Sequence, residues 1–298
     1  MNDQPTRARA ATEEKSGSSR DRSRPPAPEP LPHPVIDNHC HLDIADGPAD
    51  GWLDTRAALD EAARVNVTRV VQIGYDLVSS RWSVTAAQAH PEIVAGVALH
   101  PNEAPKHAAA GDFEEAFAEI EQLATAAGVR AVGETGLDTF RTGEDGRAAQ
   151  EESFRRHIEL AKRLDKTLVI HDRDAHEDVL RVVNEEGAPD RWVMHCFSGD
   201  ADFARRCLDA GAYLSFAGTV TFKNAPDLRE AAAVTPGDRL LVETDAPFLT
   251  PMPYRGRPNA SYLMPHTLRL LADLRTQDLT ELCAAVEANT FAAFGGAW

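Results

Sequence analysis

After Pro34 the chain alternates between short apolar runs and longer segments whose apolar positions repeat with a helical period. The runs are apolar on both faces, which is typical of parallel strands buried on both sides. Eight strands that alternate with helices over about 260 residues predict a (β/α)8 TIM-type barrel, and a doubly wound open sheet is the alternative. The predicted strands are 35–37, 69–74, 93–100, 129–134, 167–171, 191–196, 212–218 and 239–245.

Two of the helical segments carry signals for their ends. Segment 112–128 begins with Asp112, has Glu115 three residues later and ends at Gly128. A second segment, 174–187, repeats this arrangement. The spacing predicts a capping box at each start and a glycine just past each helix end.

Residues 1–34 are rich in Pro, Arg, Ser and Glu and contain few large apolar residues. Such a segment buries too little surface to offset its chain entropy, so we predict a disordered N-terminal tail. The chain then divides into this tail, 1–34, and a single barrel domain, 35–298. The tail also has no apolar core of the kind that a signal peptide needs.

Charge and cysteine usage limit the classes of function. The net charge of −16 argues against a broad basic surface for duplex DNA, but it permits a small site that takes a nucleic-acid end. Four scattered cysteines without a C-x-x-C pair suggest reduced thiols and a cytoplasmic location. The chain has no apolar run near the roughly 20 residues of a membrane span, and we expect a monomer.

Polar residues able to bind metal follow six of the predicted strands. Barrel active sites lie at the carboxyl ends of the strands, so these residues would share one mouth. Taken singly, each could be an ordinary polar residue at a strand end, whereas six such placements together favour a site. The residues are His39, His41, His100, Glu134, His171, His195 and Asp245.

The residue types and their spacing predict metal ligands. His39 and His41 are two positions apart, so both side chains leave an extended segment on the same face. Histidine nitrogen and carboxylate oxygen are suitable donors for divalent ions. Four histidines and two carboxylates exceed the needs of one tetrahedral ion. We therefore predict two divalent ions, with Glu134 placed to bridge them.

These strand ends lie within longer motifs, and with them the chain resembles the TatD family of metal-dependent hydrolases, within the amidohydrolase-like superfamily. The motifs run in family order from Asp37 to Phe294 and leave out little besides the N-terminal segment. They are DNHCHLD (37–43), GETGLD (133–138), IHDRDAHEDVL (170–180), HCFSGD (195–200), FAGTVTFKNA (216–225) and VETDAPFLTPMPYRGRPN (242–259).

The resemblance implies a barrel that binds one to three divalent ions, Mg²⁺, Mn²⁺ or Zn²⁺, and hydrolyses phosphodiester bonds in DNA. We expect a deoxyribonuclease of the 3′-5′ exonuclease type that acts on nucleic-acid ends. One alternative is a hydrolase of acyl ester or amide bonds, such as a D-aminoacyl-tRNA deacylase; another is a barrel that binds metal or a partner without catalysis. The ligands implied by motif are His39, His41, Glu134, His171, His195 and Asp245.

Further roles are expected around this ligand set. Asp245 is expected to orient the attacking water and accept its proton as well as bind metal, and Glu134 is the second catalytic carboxylate. Glu243 should lie one layer deeper, where it either holds a ligand histidine or is a structural carboxylate. The candidates for contact with a substrate phosphate are Arg173, His100 and Arg257.

The chain departs from the family pattern at two positions near the site. An aromatic residue commonly follows GLD in the family, whereas Thr139 stands here with Phe140 next. A second histidine commonly follows His100-Pro101, and Asn102 stands in its place. Both departures concern substrate handling and leave the metal ligands intact.

Overall fold

The short apolar runs form a parallel sheet in the computed structural model, which describes residues 4–12, 17, 19–47 and 52–298. Neighbouring strands follow each other in chain order, and every pair is parallel. The strands are β1 (Val35–Cys40), β2 (Val67–Ile73), β3 (Ile93–Val97), β4 (Val129–Asp138), β5 (Thr167–Arg173), β6 (Trp192–Met194), β7 (Tyr213–Phe216) and β8 (Leu240–Val242).

The chain just after β8 brings the last strand against the first. The Asp245 amide donates to the His39 carbonyl at 2.9 Å, and the His41 amide donates to the Ala246 carbonyl at 2.8 Å. The Asn38 side chain adds a bond from Nδ2 to the Val242 carbonyl at 2.8 Å. The predicted (β/α)8 barrel is therefore confirmed, and the open doubly wound sheet is not the fold.

Helices follow the strands and cover the barrel. In the described part of the chain they are α1 (Thr55–Ala63), α2 (Leu77–Ala89), α3 (Ala104–Ala110), α4 (Phe113–Ala124), α5 (Glu144–Leu164), α6 (His176–Glu186), α7 (Ala201–Asp209), α8 (Pro226–Val234), α9 (Met264–Arg275) and α10 (Leu279–Ala293). None of the helices found there combines the length and apolar character needed to cross a membrane.

The barrel interior is apolar at its amino-terminal end. Val71, Val169 and Leu241 from three strands pack there with Phe294, which follows α10. Thr167, at the start of β5, donates to the Ala293 carbonyl at 2.6 Å and fixes the end of α10 at this position. The base is thus filled by side chains, and the polar residues are left to the opposite end.

Strand lengths differ from the predicted ones near the site. β4 runs to Asp138, beyond the predicted end at Glu134, while β6 and β8 stop before His195 and Asp245. The extension of β4 depends on Gly136, whose φ is +135°. A Cβ atom at this position would lie 2.1 Å from the His171 carbonyl oxygen, so only glycine allows β4 and β5 to approach this closely.

Both predicted capping boxes are wrong. α4 begins after Asp112 as expected, but the side chain of Asp112 makes no capping bond and instead accepts from His107 Nδ1 at 2.8 Å. α6 begins at His176, after the predicted Asp174, and Asp172 accepts from the Ala175 amide there. In α4 the Asp112 side chain bonds to His107 instead of the helix backbone. In α6 the helix starts too late for Asp174 to cap it.

Helix ends follow the glycine signals in one case of two. α6 ends at Glu186, next to Gly187 with φ +74°, as predicted. α4 ends earlier, at Ala124, and Gly128 with φ +85° lies beyond it in the connection to β4. A glycine with positive φ therefore marks the turn after a helix, but it need not be next to the last helical residue.

The N-terminal segment is a tail that precedes the barrel, and some of its described residues lie against the barrel. The two-residue strand Arg7–Ala8 pairs in parallel with Ile44–Ala45. Leu31 is buried in the core, and the Tyr262 hydroxyl donates to the Pro25 carbonyl at 2.6 Å. Composition reflects the capacity for apolar burial and does not predict these polar contacts. The domain boundary at residue 34 stays a prediction.

Candidate metal centre

The two oxygens of Glu134 face two separate groups of side chains at the carboxyl-terminal mouth. Glu134 Oε1 lies 3.8 Å from His39 Nε2 and 3.5 Å from His41 Nε2. Asp245 Oδ1 lies 3.8 and 3.4 Å from the same two nitrogens. We call this group, with His39, His41 and Asp245, the Oε1 face.

The second oxygen faces three other histidines, which form the Oε2 face. Glu134 Oε2 lies 3.0 Å from His195 Nε2, 3.3 Å from His171 Nδ1 and 3.8 Å from His100 Nε2. The rings of His39 and His195 stack with centroids 3.8 Å apart, so the two faces adjoin. One carboxylate therefore lies between two potential ion positions, and its predicted role as a bridge between two ions stays a prediction.

The spacing and pairing of these atoms fit metal ions better than hydrogen bonds. Ligand atoms about 2.0–2.1 Å from a tetrahedral ion lie about 3.3 Å from one another. Among the described residues, neither ring nitrogen of fully buried His39 has a hydrogen-bond partner. His41 Nδ1 donates to the Ile73 carbonyl at 2.9 Å, and its Nε2 faces two carboxylates. Burial opposes protonation of this ring, but Asp245 and Glu134 raise its pKa to about 9, so the site favours a positive charge at Nε2. A cation between these atoms would satisfy Nε2 of both histidines together with the two carboxylates.

Closure of the barrel positions the Oε1 face. The backbone bonds between the end of β1 and the residues after β8 place Asp245 directly beside His39 and His41. Asp245 has φ +51°, an uncommon conformation for a residue with a side chain. Buried Asp37 supports the same seam by accepting from Thr244 Oγ1, and burial raises the pKa of this carboxyl to about 6.

Glu243 lies behind His195, where the two-residue spacing from Asp245 placed it. Its Oε1 accepts from the Cys196 amide at 2.9 Å and lies 3.2 Å from His195 Nδ1. Burial opposes protonation of His195, but the carboxylates of Glu134 and Glu243 raise the pKa of this ring. With Nδ1–H directed at Glu243, the lone pair of Nε2 faces Glu134 and the ion position.

Asp138 has the corresponding position behind His171, and this residue was not among the predicted site residues. Its Oδ2 lies 3.3 Å from His171 Nε2 and accepts from Asn102 Nδ2 at 2.9 Å. Burial alone would raise the pKa of Asp138, but its bonds to His171 and Asn102 hold it below the usual range. A signal for this residue was present, because Glu134 and Asp138 lie four positions apart in one strand and share its inner face.

Comparison with known proteins now identifies the family. A family model described as TatD related DNase matches residues 36–295. The chain belongs to the TatD family. A relative from Mycobacterium tuberculosis, named uncharacterized metal-dependent hydrolase TatD, is 46% identical over 269 residues, which are 89% of this chain and 99% of the relative. The metal-dependent hydrolase YcfH of Escherichia coli is 38% identical and covers 87% of this chain and 94% of its own length.

Solved structures agree with this assignment. The crystal structure of YjjV, a TatD homolog from Escherichia coli, has a TM-score of 0.80 at 28% identity and covers 88% of this chain and 98% of that one. A TatD family hydrolase from Entamoeba histolytica has a TM-score of 0.78 at 18% identity, which shows the shared fold alone. The chain is a metal-dependent hydrolase of the TatD family with a TIM barrel.

His100 belongs to the TatD cluster in space but differs from the other histidines in its hydrogen bonding. Its Nδ1 accepts from the Asn102 amide at 3.0 Å, so the neutral ring carries its proton on Nε2. Burial, followed by the nearby charge of His171, lowers the pKa of His100 to about 3. An Nε2–H group that points into the cluster is a hydrogen-bond donor and has no lone pair for a metal.

The two predicted arginines are placed differently. The Arg173 guanidinium, at the end of β5, stacks 3.9 Å above the ring of Phe140, which is 49% exposed at the rim of the mouth. Arg257 is not brought to the cluster. It donates to the Ser23 and Arg24 carbonyls at 2.9 and 2.8 Å, and these contacts direct its guanidinium towards the N-terminal segment.

Proposed function

We propose that this TatD family hydrolase is a deoxyribonuclease that removes nucleotides from DNA ends in the 3′-5′ direction. The observation that carries the proposal is the division of Glu134 between two faces, because two adjacent ion positions suit in-line displacement at phosphorus. His39, His41, Asp245 and Glu134 would hold one ion. His171, His195 and Glu134 would hold the other. The family description, TatD related DNase, supports the same substrate class.

The residues around the ion positions have separable tasks. Divalent ions bound here would supply an activated water and neutralise charge on the phosphate oxygens. Asp245 would orient that water and take its proton, because its carboxylate lies at the cluster and is 15% exposed on the solvent side. The water oxygen would then bond to phosphorus while the bond to the 3′ oxygen breaks, and the departing 3′ oxygen would take up a proton from solvent water. The products are a nucleoside 5′-phosphate and a new 3′ hydroxyl.

Donors at the solvent side would hold the phosphate. His100 is 15% exposed and directs Nε2–H towards the cluster, so it can donate to a non-bridging oxygen without competing for metal. Arg173 lies at the rim, stacked on Phe140, where a base or a second phosphate could contact the pair. Arg257 is not proposed to bind the phosphate, because its guanidinium already donates to the Ser23 and Arg24 carbonyls.

The test compares strand shortening with ion binding in one preparation. Metal-stripped protein is mixed with single-stranded DNA labelled at the 3′ or the 5′ end, and Mg²⁺, Mn²⁺ or Zn²⁺ is added in turn. Metal-dependent release of a labelled mononucleotide from the 3′ label, with a ladder from the 5′ label, is expected. Asp245→Asn should reduce the rate by at least about 10²-fold.

The absence of strand shortening would exclude the proposed nuclease. A protein that binds two ions but shortens neither labelled strand is not a nuclease of this kind. D-aminoacyl-tRNA, offered under the same conditions, then tests the acyl ester alternative with the same metal site. Release of nucleotides from the 5′ end would keep the nuclease and reverse its direction.

A further inference from the structure

The N-terminal segment brings positive charge to an acidic barrel. Residues 1–34 hold six of the 31 Lys and Arg residues but only five of the 47 Asp and Glu residues, so the remainder of the chain carries all of the net negative charge. This segment also precedes residue 36, where the match to the family model begins. Whatever it does at the site is therefore an addition to the family barrel.

Backbone pairing places part of this segment at the mouth. The Thr6 amide donates to the Asp43 carbonyl, and the Arg9 amide donates to the Ala45 carbonyl, both at 2.8 Å. Thr6 Oγ1 also donates to Asp43 Oδ2 at 2.6 Å. Asp43 and Ala45 follow directly after the H-x-H motif, so the segment runs alongside the chain that leaves the metal ligands.

Two arginines on one face of this segment stack on aromatic rings that contact His41, a predicted metal ligand. The Arg7 guanidinium lies 4.4 Å from the ring centroid of Tyr75, and the Arg9 guanidinium lies 5.0 Å from that of Phe248. Both rings meet the imidazole of His41 edge to face, with centroids 5.6 and 6.2 Å away. One aromatic ring thus links each guanidinium to the Oε1 face.

The two arginines have different surroundings. Arg9 donates to the Pro247 carbonyl at 2.6 Å and pairs with Asp46 at 3.2 Å, and Arg20 also pairs with Asp46 at 2.8 Å. These bonds tie the segment to the loop after Asp245, so Arg9 is an anchor. Arg7 is exposed to solvent beside Tyr75. It is placed to meet a ligand that enters the mouth.

From this arrangement we propose that the N-terminal segment forms part of the substrate site and that Arg7 binds a backbone phosphate next to the one that is cleaved. The inference rests on the proposed nuclease function. It assigns the substrate as a strand with at least two phosphates, one at the ion positions and one at Arg7. An acidic barrel would otherwise repel such a strand.

The experiment uses the full chain and a length series of single-stranded oligonucleotides, from a dinucleotide with one phosphodiester to a hexanucleotide. Arg7→Gln should raise KM for the hexanucleotide about tenfold, the effect of losing one hydrogen bond between charged groups. The rise should be far smaller for the dinucleotide, which has no neighbouring phosphate. The slope of log KM against log salt should fall by about 0.7, as for one lost phosphate contact on a single strand.

Two variants distinguish charge from structure. Arg239 provides the matched control, since it stacks on Tyr213 at 4.9 Å at the opposite end of the barrel, and Arg239→Gln should leave every KM unchanged. Arg7→Lys should retain most of the hexanucleotide affinity, because it keeps the charge. If Lys is as poor as Gln, the ring contact matters instead of the charge, and the phosphate site is wrong.

The remaining outcomes separate the two proposals. If wild type, Arg7→Gln and Arg239→Gln shorten every length with the same KM, the inference is overturned and the nuclease proposal stands. If the wild-type protein shortens no strand of any length with any metal, both proposals are wrong together.

Discussion

The two faces of Glu134 hold their histidines by different means. On the Oε2 face, His195 and His171 each have a carboxylate behind the ring, from Glu243 and Asp138. On the Oε1 face, His41 is held by the backbone carbonyl of Ile73, and Nδ1 of His39 has no partner among the described residues. The Oε1 face has its second carboxylate, Asp245, directly beside the ion position.

This difference indicates which substitutions should lower the affinity for an ion at each position. A carboxylate behind a histidine fixes its tautomer and makes its other nitrogen a better ligand. Substitutions of the carboxylates behind His195 and His171 should therefore weaken ion binding at the Oε2 face and leave binding at the Oε1 face unchanged. On the Oε1 face, no side chain among the described residues bonds to Nδ1 of either histidine. Only substitution of Glu134, whose two oxygens face the two groups, should affect both faces at once.

The largest effect is expected from Glu134→Gln, which removes the charge common to both faces. Both ions should be lost after dialysis, and kcat/KM for DNA should fall by at least about 10³-fold. Elemental analysis of the dialysed protein measures the first, and initial rates measure the second. Glu287→Gln is the control, because Glu287 lies on α10 and its Oε2 is 2.8 Å from His33 Nε2, outside the cluster. Two ions retained by the Glu134 variant would show that it does not bridge.

Glu243→Gln should weaken the binding of one ion and leave the binding of the other unchanged. The affinity of the Oε2 face should fall about ten- to a hundredfold, because the amide cannot stabilise the His195 ring as a carboxylate does. Titration of metal-stripped protein with Zn²⁺ against a competing chelator should resolve two steps, of which one moves. A shift of both steps by the same factor would contradict the separation of the two faces.

Asp138→Asn should move the same step by a smaller factor, about tenfold or less. The reason lies in the partners of Asp138, which include Asn102 and the amides of Phe140 and Arg141 as well as His171. Its charge is shared among more donors than that of Glu243. The chelator titration used for Glu243→Gln measures both variants, and a larger shift in Asp138→Asn would reverse this ranking.

The smallest effect on metal is expected from His100→Gln, although His100 lies on the Oε2 face. Because its Nδ1 accepts from the Asn102 amide, its Nε2 carries a proton and should bind no ion. Both titration steps should stay in place while kcat/KM falls by about 10²-fold through loss of a donor to the phosphate. Disappearance of one step would make His100 a ligand after all.

The candidate ligands could be predicted from the sequence because they depend on local rules. Parallel strands end at one mouth, and residues two apart in a strand share a face, so His39, His41 and Glu134 follow from position alone. The same rule, applied beyond Glu134, would have found Asp138. Arg257 could not be judged in this way, since its partners Ser23 and Arg24 are more than 200 positions earlier in the chain.

A histidine elsewhere shows the limit of residue type as a signal. His157 on α5 is as buried as His39, but both of its ring nitrogens are used, by the Leu99 amide at 3.2 Å and the Ser153 carbonyl at 2.7 Å. Composition does not distinguish the two. The distinction lies in whether the packed environment satisfies the ring, and that depends on neighbours brought together by folding.

The sequence by itself determined the eight-strand barrel, the six candidate ligands and the family, because hydrophobic periodicity, strand ends and motif order are properties of short segments. The tertiary structure alone decided how Glu134 is shared, which carboxylates lie behind His171 and His195, and where the N-terminal arginines lie. Those relations join residues from distant parts of the chain. They depend on barrel closure and side-chain packing, which no local pattern contains.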